Sequence, residues 1–282
     1  MGWQAALQSE KMMMKMYIPL FVGLLCFGSM MPASADSREA LLKATDTEVS
    51  GEYTRQRFLA VQKKPFDPAD KRKKALIIGD SHAQDFFNSV LENGYLANYQ
   101  LSTRYIPTRC QMFFGEKGAE NIQPKDTALC EASDNLTQAA AQIAEADVVI
   151  MVARWQEWAA KLLPETLKSM NLRAEQSLVV LGAKDFGRVS VRNYLKLSDD
   201  ELRVLSNKVD PKPLATNQLL RDSLGDKVFV DQQRLICGEG ASCRLFTDDA
   251  QLISYDGGHL TPAGAKYVGQ LLFTNSLLQR FQ

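Results

Sequence analysis

The sequence predicts an α/β fold in which helices cover both faces of a central parallel sheet. Short apolar runs, such as residues 75–78 and 148–153, alternate with segments whose apolar residues recur at helical spacing, such as residues 83–92. Strands that are apolar along their whole length are typical of a parallel sheet buried on both faces. A chain of 282 residues is long enough to bury the core of one such domain.

The predicted elements follow one another in strand–helix alternation from residue 75 onwards. Short apolar runs bounded by polar residues predict strands at 75–78, 101–106, 148–153, 178–181 and 228–230. Apolar residues at intervals of three and four predict helices at 83–92, 135–146, 155–170, 197–205, 214–224 and 261–278. Asn93-Gly94 is a stop signal for the first of these helices, whereas Thr261-Pro262 supplies a cap and a first-turn proline for the last. A long irregular loop is expected at 107–130.

The first 35 residues have the order of a secretory signal peptide. Lys11 and Lys15 precede an apolar stretch at 16–31, and residues 33–35 are small, as a cleavage site requires. The apolar stretch is short for a membrane span, although a retained N-terminal anchor is the alternative. We therefore expect secretion across the inner membrane into the periplasm.

The remaining chain divides into two predicted parts. Residues 36–70 are polar and charged, and we expect a helical or linker segment there, with helices at 38–44 and 53–61. Residues 71–282 carry the strand–helix alternation and form the main predicted domain. Removal of the first 35 residues leaves 31 basic and 32 acidic side chains. This near-neutral balance argues against nucleic acid or an anionic membrane as the main partner.

Four cysteines follow the predicted signal peptide: Cys110, Cys130, Cys237 and Cys243. An even number of cysteines in an exported chain indicates disulfides. Of the three possible pairings, proximity in sequence favours Cys110–Cys130 and Cys237–Cys243. The alternative is a zinc site, but neither pair has the close spacing of zinc ligands and neither histidine lies nearby. We therefore expect two disulfides, no metal and no cofactor.

Ser81 occupies a position that suits a nucleophile. It lies in Gly79-Asp80-Ser81-His82, directly after the first predicted strand and at the start of the following helix. In open α/β sheets, sites form outside the carboxyl ends of the strands, and a helix N-terminus favours developing negative charge. The alternative is that Asp80 or Ser81 only caps the helix.

The chain contains two histidines, His82 beside Ser81 and His259 near the C-terminus. Asp256 precedes His259 by three residues, so its carboxylate can orient the imidazole while the imidazole takes the proton of Ser81. The alternative is a glycine-rich turn that carries a surface histidine. Taken together, Ser81, Asp256 and His259 predict the triad of a serine esterase or acyltransferase.

These motifs resemble the SGNH (GDSL-type) hydrolase superfamily, most closely the periplasmic SGNH domains fused to acyltransferase-3 membrane proteins. The segments that carry the resemblance are Gly79-Asp80-Ser81-His82-Ala83, Val152-Ala153-Arg154-Trp155, the Cys237…Cys243 pair and Tyr255-Asp256-x-x-His259-Leu260-Thr261-x-x-Gly264-Ala265. The resemblance implies a three-layer α/β/α flavodoxin-like fold and acyl-ester chemistry, often O-acetylation or deacetylation of cell-surface glycans. It assigns Ser81 as nucleophile, His259 as general base and acid, and Asp256 as the orienting carboxylate.

The resemblance leaves the oxyanion hole incomplete. Members of the superfamily typically add a glycine N–H and an asparagine side chain to the nucleophile's own N–H, whereas this chain has Arg154 and no such asparagine after its third strand. Arg154 can supply charge-assisted donors, or it can form a salt bridge at the rim. Gly115 is a candidate for the missing glycine, and Asp80 and His82 are candidates for binding substrate.

We therefore expect an exported esterase or O-acyltransferase that acts on acyl esters, above all acetyl esters, of cell-envelope glycans through an acyl-serine intermediate. Transfer would need a separate membrane acyl-donor protein, because the sequence has no region like the membrane partner of the resembling domains. Two alternatives stay open. One is a non-catalytic periplasmic SGNH-fold module that assists a membrane acyltransferase. The other is a lysophospholipase or thioesterase, which would need a long apolar acyl pocket.

Overall fold

The computed structural model describes residues 35–282, with side chains from residue 38 onwards. The predicted signal peptide, apart from its last residue, lies outside the described residues. The strands, in chain order, are β1 (Lys73–Gly79), β2 (Tyr99–Tyr105), β3 (Val148–Val152), β4 (Ser177–Leu181), β5 (Ser206–Lys208), β6 (Phe229–Val230) and β7 (Ser242–Arg244). Five of them form a parallel sheet in the order β2-β1-β3-β4-β6, while β5 and β7 pair antiparallel in a small separate sheet.

Helices connect these strands and cover the sheet. The α-helices are α1 (Ala35–Ala44), α2 (Thr47–Ala60), α3 (Ser81–Glu92), α4 (Glu116–Ala119), α5 (Thr127–Ala132), α6 (Leu136–Glu145), α7 (Glu157–Ser169), α8 (Val191–Tyr194), α9 (Asp199–Val204), α10 (Pro211–Leu224), α11 (Gln232–Cys237) and α12 (Pro262–Asn275). Short 3₁₀ helices cover Pro124–Asp126 and Leu277–Phe281.

The side chains of the central strands alternate between two apolar cores, one on each face of the sheet. Ile77 in β1 and Ile150 in β3 belong to a core that includes residues of α3 and α12. Their neighbours Leu76 and Val149 belong to the opposite core, with residues of α6, α7 and α10. The chain therefore has three layers, and its strand order is of the flavodoxin-like kind. Both observations confirm the predicted fold class.

The segment before β1 is helical and packs onto the main body. Helix α2 begins after Asp46, whose side chain accepts hydrogen bonds from the first turn, as an N-cap does. It buries Phe58 edge-to-face against Phe87 of α3, with ring centroids 5.8 Å apart. The amide of Asn88 in α3 donates to the carbonyls of Tyr53 and Thr54. Helix α2 therefore shares the core of the sheet, while the division of the chain at residue 71 stays a prediction.

The structure contains short elements that the sequence pattern did not predict. Helix α11 and the antiparallel pairing of β5 with β7 were missed, and the predicted loop at 107–130 contains α4 and the start of α5. The predicted helix at 197–205 is shorter, because Ser198 and Glu201 form a capping box that starts α9 at Asp199. These elements have six residues or fewer, too few for an apolar period to stand out.

Both predicted disulfides are present. Cys110–Cys130 joins the loop after β2 to α5, and Cys237–Cys243 joins the end of α11 to β7. Within residues 38–282, no group of three or more histidine, cysteine, aspartate and glutamate side chains is arranged to hold a metal ion.

Candidate active site

The carboxyl ends of β1 and β3 lie side by side at the point where the strand order of the sheet reverses. In open α/β sheets this crevice is where ligands bind. Gly79 ends β1 there, and a Cβ on this residue would lie 1.7 Å from the carbonyl oxygen of Val152 in β3. Only glycine allows the two backbones to come this close, and the turn that follows carries the candidate nucleophile.

Asp80 connects the loops that follow three neighbouring strands. It is buried and caps α3, with Oδ1 accepting the N–H of His82 at 2.9 Å. Its Oδ2 accepts the hydroxyl of Thr108, after β2, at 2.7 Å and the N–H of Arg154, after β3, at 2.9 Å. Burial raises the pKa of Asp80, and these three hydrogen bonds oppose the rise. Both carboxylate oxygens are therefore used in bracing the site.

Ser81 is the first residue of α3 and is half-buried. In the first turn of the helix, His82 donates to the Asp80 side chain, while Ala83 and Gln84 donate to the Asp80 carbonyl. The N–H of Ser81 has no acceptor among the described residues. This free donor lies at the positive end of a helix, where it can bind an oxygen that gains negative charge.

The three predicted triad residues form a continuous line of hydrogen bonds. His259 Nε2 lies 2.8 Å from Ser81 Oγ, and Nδ1 lies 2.7 Å from Asp256 Oδ2. Asp256 Oδ1 also accepts the backbone N–H groups of Gly258, at 2.8 Å, and His259, at 2.7 Å. Because an ionised carboxylate only accepts, Nδ1 carries the proton, and the lone pair of Nε2 faces the serine hydroxyl.

The electrostatics of this line favour a base at His259. Burial would raise the pKa of Asp256, but the hydrogen bond and charge of His259 outweigh burial and lower it to about 2. Burial lowers the pKa of His259, but the hydrogen bond to Asp256 and the negative charge of Asp85 give a net rise above its ordinary value. Asp256 is therefore ionised, and His259 is a stronger base than a free imidazole.

The loop that carries Asp256 and His259 docks on the loop after β4. The N–H of Phe186 donates to the carbonyl of Gly257 at 2.8 Å. Gly257 has φ +94°, and a Cβ there would lie 2.1 Å from the carbonyl oxygen of Gly187. Glycine is therefore required at position 257 for two reasons. Residues with a Cβ rarely adopt this φ, and a Cβ would clash with the carbonyl oxygen of Gly187. The glycine-rich turn of the alternative interpretation is real, and it holds His259 against Ser81.

His82 lies beside the triad and has an unusual environment. Its side chain is buried, and Nδ1 has no hydrogen-bond partner among the described residues. Its ring lies edge-to-face to that of His259, with centroids 6.2 Å apart. Burial lowers the pKa of His82 well below 6.5, and the positive charges of Lys184, His259 and Arg154 lower it further. His82 is therefore a neutral imidazole.

Arg154 and Gly115, the two other candidates for the oxyanion hole, differ in how they lie relative to the triad. The guanidinium of Arg154 is exposed, acts on the nearby His82 as a positive charge, and has no ion pair or hydrogen bond among the described residues. The alternative of a rim salt bridge is not seen there. Gly115 is exposed in the loop before α4, and no hydrogen bond joins it to Ser81, Asp256 or His259.

A pair of glutamine side chains joins the loops after β2 and β3, which sequence reasoning missed. Gln111 Oε1 accepts the N–H of Gln156 at 3.0 Å, and Gln156 Nε2 donates to the carbonyl of Thr108 at 3.0 Å. Trp155 is buried and donates to the Leu181 carbonyl at 2.8 Å, so it is a core residue. Isolated glutamines in a loop give no pattern in the sequence from which this bracing could be predicted.

A groove of about 710 Å³ opens elsewhere on the molecule. It is lined by α1, α2 and the start of α12, with apolar side chains such as Leu41, Val49, Phe246 and Leu252. Ser81, His259 and Asp256 do not line it. This groove therefore does not provide the acyl pocket that a lysophospholipase or thioesterase would need beside its nucleophile.

Comparison with known families gives a match over most of the chain. The family model described as an SGNH domain fused to AT3 domains matches residues 48–273, a region that starts in α2 and includes every residue of the site described above. No curated protein matches the chain at a significant level. Within residues 35–282, no helix is long and apolar enough to cross a bilayer. The chain belongs to the SGNH family of domains that are found fused to AT3 domains.

Proposed function

We propose that this protein is a serine-dependent ester hydrolase or O-acyltransferase. The observation that carries the proposal is the hydrogen-bonded line Ser81–His259–Asp256 at the carboxyl edge of the sheet, with distances of 2.8 and 2.7 Å. A serine hydroxyl is a weak nucleophile unless a neighbouring base takes its proton. The line supplies that base, oriented by a carboxylate, and so supports acyl transfer through serine.

The proposed reaction has two halves. In the first, Ser81 Oγ attacks the acyl carbonyl while His259 Nε2 takes its proton, and the tetrahedral intermediate then expels the alcohol, which takes the proton back from His259. In the second, a water or an acceptor hydroxyl gives its proton to His259 and attacks the acyl-serine. The tetrahedral intermediate then breaks its bond to Ser81 Oγ, which takes the proton back from His259, and the acid or the new ester leaves. Asp256 stays ionised throughout and stabilises the imidazolium that forms in each half.

The N–H of Ser81 is the first proposed donor to the oxyanion, because it lacks any other acceptor among the described residues. We assign the guanidinium of Arg154 as the second donor, since it is an exposed cation with no competing partner in the described chain. Asp80 and the side chain of Thr108 are occupied by each other and therefore brace the site instead of contacting substrate. We give Gly115 no role in the oxyanion hole.

We further propose that the substrates are acyl esters, above all acetyl esters, of cell-envelope glycans, and that the protein acts in the periplasm. The family match supports acyl chemistry at a membrane acyltransferase, which would be the acyl donor if the protein catalyses transfer. The predicted signal peptide and the two disulfides support an oxidising, extracytoplasmic compartment.

The test is hydrolysis of p-nitrophenyl esters of increasing chain length, from acetate upwards, by the protein and by a Ser81→Ala variant. We expect turnover of the acetyl ester that the substitution abolishes while the fold is retained by circular dichroism. Turnover that persists in Ser81→Ala would reject serine catalysis. No turnover on any chain length, with or without a glycan acceptor, would favour the non-catalytic module that assists a membrane acyltransferase. A preference for long chains would favour the lysophospholipase.

A further inference from the structure

A buried ion pair lies outside the triad. Lys184, in the loop after β4, places its Nζ 2.6 Å from Asp85 Oδ2 in α3. The two side chains are 1% and 0% exposed, so water screens neither charge. None of the reaction steps proposed above uses either residue.

The remaining hydrogen bonds of the pair go to the two peptide groups on either side of His259. Lys184 Nζ donates to the carbonyl of Gly258 at 2.6 Å. The N–H of Leu260 donates to Asp85 Oδ1 at 3.1 Å. The pair therefore holds the backbone before and after His259, and Asp85 supplies an acceptor to the N–H of the buried Leu260.

Asp85 also belongs to the element that carries the nucleophile. It follows Ser81 by four residues in α3, which is about one helical turn. The helix thus presents Ser81 to the ring of His259 and Asp85 to the backbone of the same loop. Lys184 links α3 and the loop of His259 to the carboxyl end of β4. These three parts of the fold therefore bear together on the distance between His259 Nε2 and Ser81 Oγ.

Stability alone does not account for this pair. The cost of removing two charges from water commonly offsets their attraction, and apolar side chains of similar size often serve as well. The directional hydrogen bonds of an ion pair fix the position of the groups they bind, whereas apolar packing does not fix it as closely. Small displacements of a catalytic base reduce rates strongly, so such a geometry has value at this position.

We propose that Asp85 and Lys184 are positioning residues that hold His259 Nε2 in hydrogen-bonding distance of Ser81 Oγ. The inference rests on the proposed function for its consequence on rate, but its geometric content is independent of any activity. The pair bonds to the loop backbone and touches no reacting atom. Because the charges of Asp85 and Lys184 also act on the pKa of His259, in opposite directions, the separation of Nε2 and Oγ is the readout that decides the positioning role.

The test replaces the pair by apolar side chains of similar size in a double variant, Asp85→Leu with Lys184→Met. We expect a folded protein in which kcat for the acetyl ester falls about 10- to 100-fold while KM changes little. The amide of Leu260 should lose its protection from hydrogen exchange. A crystal structure of the variant should show Nε2 and Oγ farther apart than a hydrogen bond allows. If the double variant does not fold, Asp85→Asn with Lys184→Met, which keeps the volume at position 85 and leaves no buried charge unpaired, takes its place.

The matched control is Asp134→Asn. Asp134, on the loop before α6, is 1% exposed on its side chain and pairs with Arg104 at 3.2 Å and with Lys63 at 3.5 Å, and it makes no hydrogen bond to the loop of His259. We expect this variant to lose stability without any change in kcat. An unchanged Nε2–Oγ separation in the double variant overturns the proposal, as does a wild-type kcat there. If the wild-type protein shows no Ser81-dependent turnover, the proposed function fails, while the measured separation still decides the role of the pair.

Discussion

His82 and His259 have ring centroids 6.2 Å apart, and their pKa values are displaced in opposite directions. The pKa values differ because different groups surround the two rings. Burial disfavours the charged form of both, but only His259 has a carboxylate, Asp256, on its Nδ1. His82 is buried without that compensation and next to positive charges. The same side chain is therefore a neutral imidazole at His82 and a base at His259.

The first prediction concerns the titration of these two imidazoles. With only two histidines in the chain, nitrogen-15 spectra resolve each ring without ambiguity. We expect His259 to titrate above 6.5 and His82 to remain neutral to well below that pH. Because the base acts in its neutral form, kcat/KM should rise with pH along a limb that coincides with the His259 titration. A limb that follows His82 instead would contradict the assignment of the base.

The second prediction concerns Asp256. Asp256→Asn removes the charge that stabilises imidazolium, so the pKa of His259 should fall and the acid limb of kcat/KM should move to lower pH. The amide also favours the wrong tautomer of the ring, and we expect kcat to drop by about 10³- to 10⁴-fold. Rate measurements across pH and the His259 titration check both effects. A rate loss of only a few fold would mean that Asp256 does not orient the base.

The third prediction concerns Asp80 and the bracing of the three loops. In Asp80→Asn one side-chain oxygen becomes an amide donor, which leaves the N–H of Arg154 or the N–H of His82 without an acceptor. An unsatisfied buried donor costs about 1–3 kcal/mol. We expect the free energy of unfolding in urea to fall by that amount and kcat to fall with it, because Ser81 follows directly. Unchanged stability would mean that the three hydrogen bonds are not essential to the turn.

The sequence predicts those parts of the site whose residues form patterns along the chain. The strand before Gly79, the helix after Ser81 and the Asp256–His259 spacing are local features, and the long strands and helices follow apolar periodicity. Asp85 and Lys184 are 99 residues apart and only the fold brings them together. In the sequence each looks like an isolated charged residue of the surface, so their buried ion pair could not be recognised without the structure. The same reason explains why α11 and the antiparallel β5–β7 pair were missed, since tertiary contacts stabilise such short elements.

The last prediction separates oxyanion stabilisation from substrate binding at Arg154. The side chain is exposed and unpaired among the described residues, so Arg154→Ala should leave the melting temperature almost unchanged. If the guanidinium binds the developing oxyanion, kcat should fall by about 10²- to 10³-fold with little change in KM, because the bond forms only in the transition state. Arg154→Lys should recover part of that loss, since it keeps the charge but not the planar pair of donors. A rise in KM at constant kcat would assign Arg154 to uniform binding of the substrate instead.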